Sequence, residues 1–233
     1  MKKILALVFA ALIFAACNKD DTFLYNYSSI GDVQGNTIVS DNGVVYNVTA
    51  SSAQEAYENQ ARVAFLCNVL KKISDTEFDI ELLSWTRVLV KDYLNSSEIT
   101  DQNAVGNDPI FLQEAWYSGK YLNIKFSYTM KKDSETIHYI NLVLNNDKSS
   151  DTGLCFHLRH NGSGESFGPG SDISLTESAL VSGYVSFPIN AAIPSGASSV
   201  ELEIGWDWLV YDDMTQTYLP ETEPHSTTGQ IVF

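Results

Sequence analysis

The chain has 233 residues, of which 14 are Lys or Arg and 29 are Asp or Glu, so its formal net charge is −15 at pH 7. Hydrophobic residues make up 44% of it and aromatic residues 12%, which is typical of a globular protein and excludes a disordered chain. Nucleic acids and anionic lipid surfaces are bound through basic patches, so the acidic excess excludes both as partners.

The first segment has the organisation of an export signal. Two lysines follow the first methionine, and an apolar run from Ile4 to Phe14 leads to an Ala-Ala-Cys triplet that ends at Cys17. The run is too short for a membrane-spanning helix, which needs about 20 apolar residues. The sequence therefore predicts a signal peptide over 1–16 that is removed during export.

The residues around Cys17 resemble the lipobox of bacterial lipoproteins, in which the cysteine sulfur carries two acyl chains. Several chains hold a protein on a bilayer stably, since each buried methylene contributes about 0.8 kcal/mol. An ordinary cleaved signal with a cysteine nearby is the alternative. The charged residues that follow, in a predicted tether over 17–30, resemble the surface-export signal of Bacteroidetes lipoproteins. We expect a lipoprotein anchored in the outer membrane through Cys17, exposed on the cell surface or facing the periplasm.

After the tether, short alternating apolar runs bounded by Gly, Asn, Asp and Ser indicate a nearly all-β chain. The Asp-Asn-Gly sequence at 41–43 predicts a hairpin between strands at 37–40 and 44–49, because Asn-Gly tolerates a positive φ at little cost. Two longer strands are predicted over 62–73 and 77–91. These strands would form a small sheet.

One helix and one linker are predicted between the strands. The helix covers 52–60, where Ser52 and Glu55 have the spacing of a capping box. The polar stretch 96–107 ends just before Pro109, and proline disfavours helix at the residue that precedes it. We therefore predict that 96–107 is a linker between two domains.

Beyond the linker, the chain contains regularly spaced strand patterns, at 110–117, 121–130, 136–145, 154–160, 180–189, 200–211 and 230–233. This spacing is typical of a sandwich of two antiparallel sheets. Trp206 and Trp208 alternate in phase with the apolar residues of their strand, whereas Asp207 takes the opposite face. Because the two tryptophans lie on the apolar face of the strand, the pattern favours packing in the core over a sugar-stacking platform.

Blocks spread over nearly the whole chain resemble NigD-like lipoproteins of Bacteroidetes, at 36–46, 61–66, 108–110, 114–126, 138–143 and 158–161. The resemblance implies an all-β protein with an OB-like barrel over 31–95 followed by an antiparallel β-sandwich over 108–233. Because no molecular activity is established for that family, the resemblance implies no catalytic residues.

The densest polar cluster lies at the end of the strand at 154–160. Arg159, His160 and Asn161 are candidate ligand-binding residues there, although the turn chemistry also fits a structural role. His157 and Arg159 share the face opposite His160, so the two histidines cannot share a metal ion. Asp212 and Asp213 are further candidates for ligand binding, in an acidic stretch near the carboxyl terminus.

No catalytic, metal-binding or cofactor-binding pattern stands out. The histidines are scattered and no nucleophile elbow is present, so no catalytic residue is predicted. The acidic residues lack the regular spacing of a calcium loop, and neither a metal nor a cofactor is predicted. Cys67 and Cys155 lie in different predicted domains, which favours two free thiols over a disulfide.

Three functional hypotheses remain open. The first is a non-catalytic binding or assembly module with a protein or glycan partner, recognised by loops of the sandwich. The second is an enzyme that processes envelope carbohydrate or peptide, which requires a pocket with paired carboxylates or a His–carboxylate pair. The third, a structural component of a bacteriocin-associated system, follows from the resemblance alone.

Overall fold

The computed structural model describes residues 26–233. In this part of the chain, thirteen strands, one four-residue α-helix, α1 (Gln102–Val105), and two 3₁₀ helices (Ser96–Glu98 and Leu175–Glu177) are present. The signal peptide predicted over 1–16 and the lipidation site Cys17 lie outside the described residues. The strands are β1 (Asn26–Gln34), β2 (Thr37–Ser40), β3 (Val45–Ser51), β4 (Arg62–Ser74), β5 (Glu77–Val90), β6 (Leu94–Asn95), β7 (Phe111–Ser118), β8 (Tyr121–Lys131), β9 (Tyr139–Leu144), β10 (Gly153–Asn161), β11 (Ser178–Pro188), β12 (Ser199–Asp212) and β13 (Thr217–Val232).

The first five strands form a closed barrel. Their order is β3-β2-β1-β4-β5, and β3 also pairs with β5, which closes the cylinder. The turn predicted at 41–43 joins β2 to β3, with Gly43 at φ 80°. Side chains that point inward from these strands form a separate apolar core, which includes Ile38, Phe65, Ile80 and Leu82. The predicted barrel is confirmed.

Two local expectations in the barrel differ from the structure. β1 begins at Asn26, within the predicted tether, and pairs with β4 over seven residues. The helix predicted over 52–60 is wrong, because the segment is irregular. Its Tyr57 is buried in the barrel core, and the Trp85 Nε1 donates to the Glu55 carbonyl at 2.9 Å. A nine-residue helix is marginal alone, so these contacts override its capping signal.

A β-sandwich follows, and one of its sheets continues the barrel. Strands β5-β11-β8-β7 form one layer, and β13-β12-β10-β9-β6 form the other. The predicted sandwich is therefore confirmed. The expectation that both sheets are antiparallel is wrong, because the pairs β5–β11, β10–β12 and β6–β9 are parallel and the sheets are therefore mixed. Parallel neighbours are joined by long connections, so strand spacing along the chain could not reveal them.

The sandwich core forms where the inner faces of the two sheets meet. Leu122, Ile124 and Phe126 of β8 are buried in this core, and the opposite face of the strand is covered as well, since Asn123 and Ser127 are 0% and 1% exposed. Trp206 and Trp208 are also buried and belong to the same core. The prediction that the two tryptophans pack in the core is confirmed.

The segment expected to be a linker lies on the surface of the sandwich. β6 pairs with β9 immediately before it, and α1 packs against β10. The Asn161 Nδ2 donates to the carbonyls of Asn103 and Ala104, at 3.1 Å each. These contacts attach residues 96–107 to β10. No helix among the described residues is long and apolar enough to cross a membrane.

A buried charged network joins the barrel to the sandwich. Arg62 on β4 is 0% exposed and donates to two barrel carboxylates, from Nη1 to Asp32 at 2.7 Å and from Nη2 to Asp41 at 2.6 Å. Toward the sandwich, its Nε donates to Ser186 Oγ at 2.9 Å and its Nη2 to Asn123 Oδ1 at 3.1 Å. Because the partners come from both domains, the network fixes the barrel against the sandwich.

Candidate functional site

An open cleft with a volume of about 740 Å³ lies on the outer face of the sheet that contains β9, β10 and β12. We call it the β10 cleft. Its floor is formed by outward side chains of these strands, among them His157, Arg159 and Asp207. One wall is the segment around α1, and the other begins at Asn145, where β9 ends. The expected linker therefore forms part of a concave site.

A histidine–aspartate pair occupies one end of the floor. The His157 Nε2 lies 3.0 Å from the Asp207 Oδ2, and the two side chains are 38% and 26% exposed. On β10 the ring points away from the core because its neighbours Phe156 and Leu158 are buried. The parallel pairing of β10 with β12 places His157 opposite Gly205, two residues before Asp207. The register thus brings together two residues that are 50 positions apart.

Arg159 provides a cation beside this pair. Its Nη1 donates to the Gln102 Oε1 at 2.6 Å, whereas its Nε is buried and has no hydrogen-bond partner among the described residues. Burial lowers the pKa of Arg159 and the nearby Asp207 opposes that shift, but a guanidinium remains protonated at neutral pH. The site therefore offers a fixed positive charge.

The wall opposite Asn145 depends on a glycine. Gly106 follows α1 with φ 82° and ψ 170°, a combination that is essentially restricted to glycine. A Cβ added at this position would lie 2.2 Å from the His160 carbonyl oxygen and 2.5 Å from the Asn161 Cα. The close approach of this backbone to β10 keeps α1 and Gln102 against the floor.

Amide side chains dominate the rest of the lining. They belong to Gln102, Asn103, Asn107, Asn145 and Asn161. An amide both donates and accepts hydrogen bonds, so the lining suits a ligand that does the same. Ile99 and Val143 supply the apolar side chains of the lining. The lining is therefore mainly polar, with groups that both donate and accept hydrogen bonds.

The predicted site residues are only partly brought together. Arg159 and Asn161 line the β10 cleft, whereas Asp212 and Asp213 lie at the turn between β12 and β13, outside its lining. Asp212 caps that turn by accepting from the Met214 amide and the Thr215 hydroxyl, and these hydrogen bonds lower its pKa. This accounts for Asp212 by turn chemistry.

His160 is placed on the opposite face of β10, as the alternation predicted. It is 0% exposed and stacks with Tyr128 and His138, at centroid distances of 4.5 and 5.0 Å. A ligand in the cleft cannot reach it. The His160 Nδ1 donates to the Pro109 carbonyl at 3.1 Å, so its Nε2 accepts from the His138 Nδ1 at 2.8 Å. Burial and the neighbouring His138 lower the pKa of His160 to about 3.

This buried histidine predicts acid sensitivity. We expect the free energy of unfolding to fall as the pH drops below about 6.5, because unfolded His160 then binds a proton that the folded form does not bind until about pH 3. The stability that it contributes is complete above pH 6.5 and is lost toward pH 3, with a limiting slope of about 1.4 kcal/mol per pH unit.

Urea unfolding between about pH 7 and about pH 5 measures this slope. The His160→Asn variant, whose amide can still donate to Pro109, should show a shallower slope than the unsubstituted chain. His225→Asn is the control outside the stack and should retain the slope. Equal slopes in both variants would contradict the assignment of the effect to His160.

Sequence reasoning missed His157, Asp207 and Gln102 as members of one site. The available signal was the alternation of β10 and β12, which places His157 and Asp207 on outward faces. The missing information was that these strands are neighbours. Among residues 26–233, no group of three or more His, Cys, Asp or Glu side chains is arranged to hold a metal ion.

The two remaining cysteines are free thiols, as predicted. Burial raises the pKa of Cys67 to about 12, and it also raises the pKa of Cys155, with a further contribution from Glu203. A thiol with a raised pKa carries little thiolate at neutral pH and is a poor nucleophile. Neither cysteine is suited to nucleophilic catalysis.

Three solved structures of proteins from Bacteroides species have folds similar to that of this chain. A protein of unknown function from Bacteroides vulgatus shares 20% identity and a TM-score of 0.58, covering 90% of this chain and 91% of that one. A NigD-like immunity protein from Bacteroides caccae shares 14% identity and a TM-score of 0.55, covering 87% and 93%. A candidate lipoprotein from Bacteroides fragilis shares 15% identity and a TM-score of 0.58, covering 88% and 97%. At such identities the likeness concerns the fold.

A family relationship is visible in the sequence itself. A comparison with curated proteins found no match. The family model described as the NigD-like C-terminal beta sandwich domain matches residues 90–218. Its match begins at the end of β5 and includes both walls and the floor of the β10 cleft. Because the match covers more than half of the chain, the protein belongs to the NigD-like family.

Proposed function

We propose that the protein is a lipoprotein of the outer membrane, attached through acylated Cys17, that binds a ligand without catalysis in the β10 cleft. The observation that carries the binding role is the floor of the cleft. There, the partly exposed Arg159 side chain is held by Gln102 and lies beside the His157–Asp207 pair. A guanidinium has several N–H groups, so its exposed ones can donate to a ligand while the Nη1 bonds to Gln102.

The sequence supports the anchor. An apolar run ending in Ala-Ala-Cys precedes eight residues, 18–25, that connect Cys17 to β1. A fully extended chain of that length spans only about 30 Å, so acyl chains at Cys17 would keep the barrel close to the bilayer. A structure of similar fold is described as a candidate lipoprotein, which agrees with this proposal.

The geometry favours binding over hydrolysis. The His157–Asp207 pair supplies two members of a nucleophilic triad, which also needs a hydroxyl or thiol hydrogen-bonded to the histidine. Among the described residues, no Ser, Thr or Cys side chain makes that bond. Ser96, a hydroxyl of the cleft, instead donates to the Asn146 Oδ1 at 3.0 Å.

Sedimentation with envelope fragments tests the binding role. We expect the chain 18–233, which contains every described strand, to sediment with envelope fragments of the cells that produce it. Arg159→Ala should lower the bound fraction about tenfold, since hydrogen bonds to a charged group are among the stronger ones.

The matched control is Arg87→Ala. Arg87 is an exposed arginine on β5 that does not line the cleft, so its removal should leave binding unchanged. The proposal is contradicted if the unsubstituted chain does not sediment with the fragments. It is also contradicted if Arg159→Ala and Arg87→Ala bind equally well.

A further inference from the structure

We infer that the ligand of the β10 cleft is an uncharged glycan, an assignment that rests on the proposed binding role. The inference comes from three properties of the lining: its hydrogen-bonding groups, its charge and its small apolar content. The volume of about 740 Å³ lies within the usual range of ligand sites, about 300–1,000 Å³.

The hydrogen-bonding groups match sugar hydroxyls. Each hydroxyl donates one hydrogen bond and accepts others, and an amide can meet both needs through its nitrogen and its oxygen. Asn107 lines the cleft, and its side chain makes no hydrogen bond to other described residues. Together with the Asp207 carboxylate, whose side chain is 26% exposed, it would bond sugar hydroxyls.

The charge of the cleft excludes an anionic polymer. Asp108, Asp147 and Asp207 line it, and Arg159 is the sole Lys or Arg among the lining residues. Like charges at short distance repel, and the net charge of −15 adds to the effect. Uronic acids, phosphorylated glycans and acidic peptides are therefore poor ligands for this site.

The lining also disfavours a peptide segment. Peptides are held by apolar pockets for their side chains or by hydrogen bonds to the edge of a sheet. The apolar side chains here are Ile99 and Val143. The floor is formed by β9, β10 and β12, of which β10 and β12 are interior strands paired on both sides. Neither means of holding a peptide is available at the floor.

The test uses envelope fragments divided into three portions, which are left untreated, digested with protease, or oxidised with periodate to cleave vicinal diols. We expect the chain 18–233 to bind the untreated and protease-digested portions equally. Its bound fraction should fall about tenfold or more on the oxidised portion, as for the loss of charge-assisted hydrogen bonds. Raising the salt concentration from about 0.05 M to about 0.5 M should change binding by less than about twofold, because an uncharged ligand is not screened.

The Asn107→Ala variant tests the contact with the ligand separately from stability, because the Asn107 side chain makes no hydrogen bond to other described residues. We expect it to weaken binding several-fold without lowering the midpoint of urea unfolding, while Arg87→Ala binds normally. Unchanged binding by Asn107→Ala would overturn the inference.

The other outcomes separate the glycan inference from the proposed function. Binding that survives periodate but not protease would identify a protein ligand, which overturns the inference and leaves the binding role standing. Loss of binding in high salt would identify a charged ligand and would also overturn the inference. Binding to none of the three portions would remove the proposed function itself.

Discussion

The Arg62→Met variant is expected to lose about 3–5 kcal/mol of unfolding free energy, the typical cost of removing one partner of a buried ion pair. The Arg62 side chain is fully buried, and that of Asp41 is 6% exposed. Without the guanidinium, the Asp41 carboxylate would remain buried with only the Ser118 hydroxyl and the Asn123 amide as donors. Loss of the guanidinium costs less at Asp32, because the Asp32 side chain is 42% exposed and water can solvate its carboxylate.

Urea unfolding measures this loss, and Arg87→Met serves as the control for the loss of a positive charge at an exposed position. The double variant Arg62→Met with Asp41→Asn should be more stable than Arg62→Met alone, since it removes the uncompensated charge. A loss below about 1 kcal/mol for Arg62→Met, or a double variant less stable than the single one, would show that the network does not hold the two domains together.

Replacing Gly106 by alanine should cost about 3 kcal/mol or more. The backbone conformation alone costs a residue with a side chain about 1–3 kcal/mol. The added Cβ would also lie 2.2 Å from the His160 carbonyl, so α1 has to move away from β10. Because α1 carries Gln102 and adjoins Asn107, this movement should also weaken binding to envelope fragments.

The Gly164→Ala variant separates the cost of the backbone conformation from the cost of the clash between the added Cβ and β10. Gly164 has φ 83°, almost the same as Gly106, but a Cβ there would meet no atom within 4 Å. We therefore expect Gly164→Ala to cost only about 1–2 kcal/mol in urea unfolding and to bind normally. If the two alanine variants lost equal stability, the close contact between α1 and β10 would have no energetic role.

Many strands of the barrel and the sandwich could be predicted because their signals are local, whereas the barrel itself was implied only by the family resemblance. The Asp-Asn-Gly turn at 41–43 fixes one hairpin, and the alternation along β12 separates core from solvent within a single strand. The helix predicted over 52–60 failed for the opposite reason. Its capping signal is local, whereas the burial of Tyr57 depends on barrel strands distant in sequence.

The candidate site could be predicted only in part. The outward face of Arg159 follows from alternation on β10, but the neighbouring His157–Asp207 pair depends on a parallel register between β10 and β12. No turn or spacing in the sequence encodes that register. The polar composition of 96–107 is that of a linker as well as that of a cleft wall, and only its contacts with β10 distinguish the two.

Labelling with radioactive palmitate tests the lipid anchor most directly. Cells that express the full chain should incorporate the label into the protein, and Cys17→Ala should abolish it. Cys67→Ala is the matched control, because that thiol is buried in the barrel and should not be acylated. Label in the unsubstituted chain and in Cys67→Ala, but not in Cys17→Ala, is the result that we predict. An unlabelled protein, or equal label in Cys17→Ala, would contradict attachment to the envelope through Cys17.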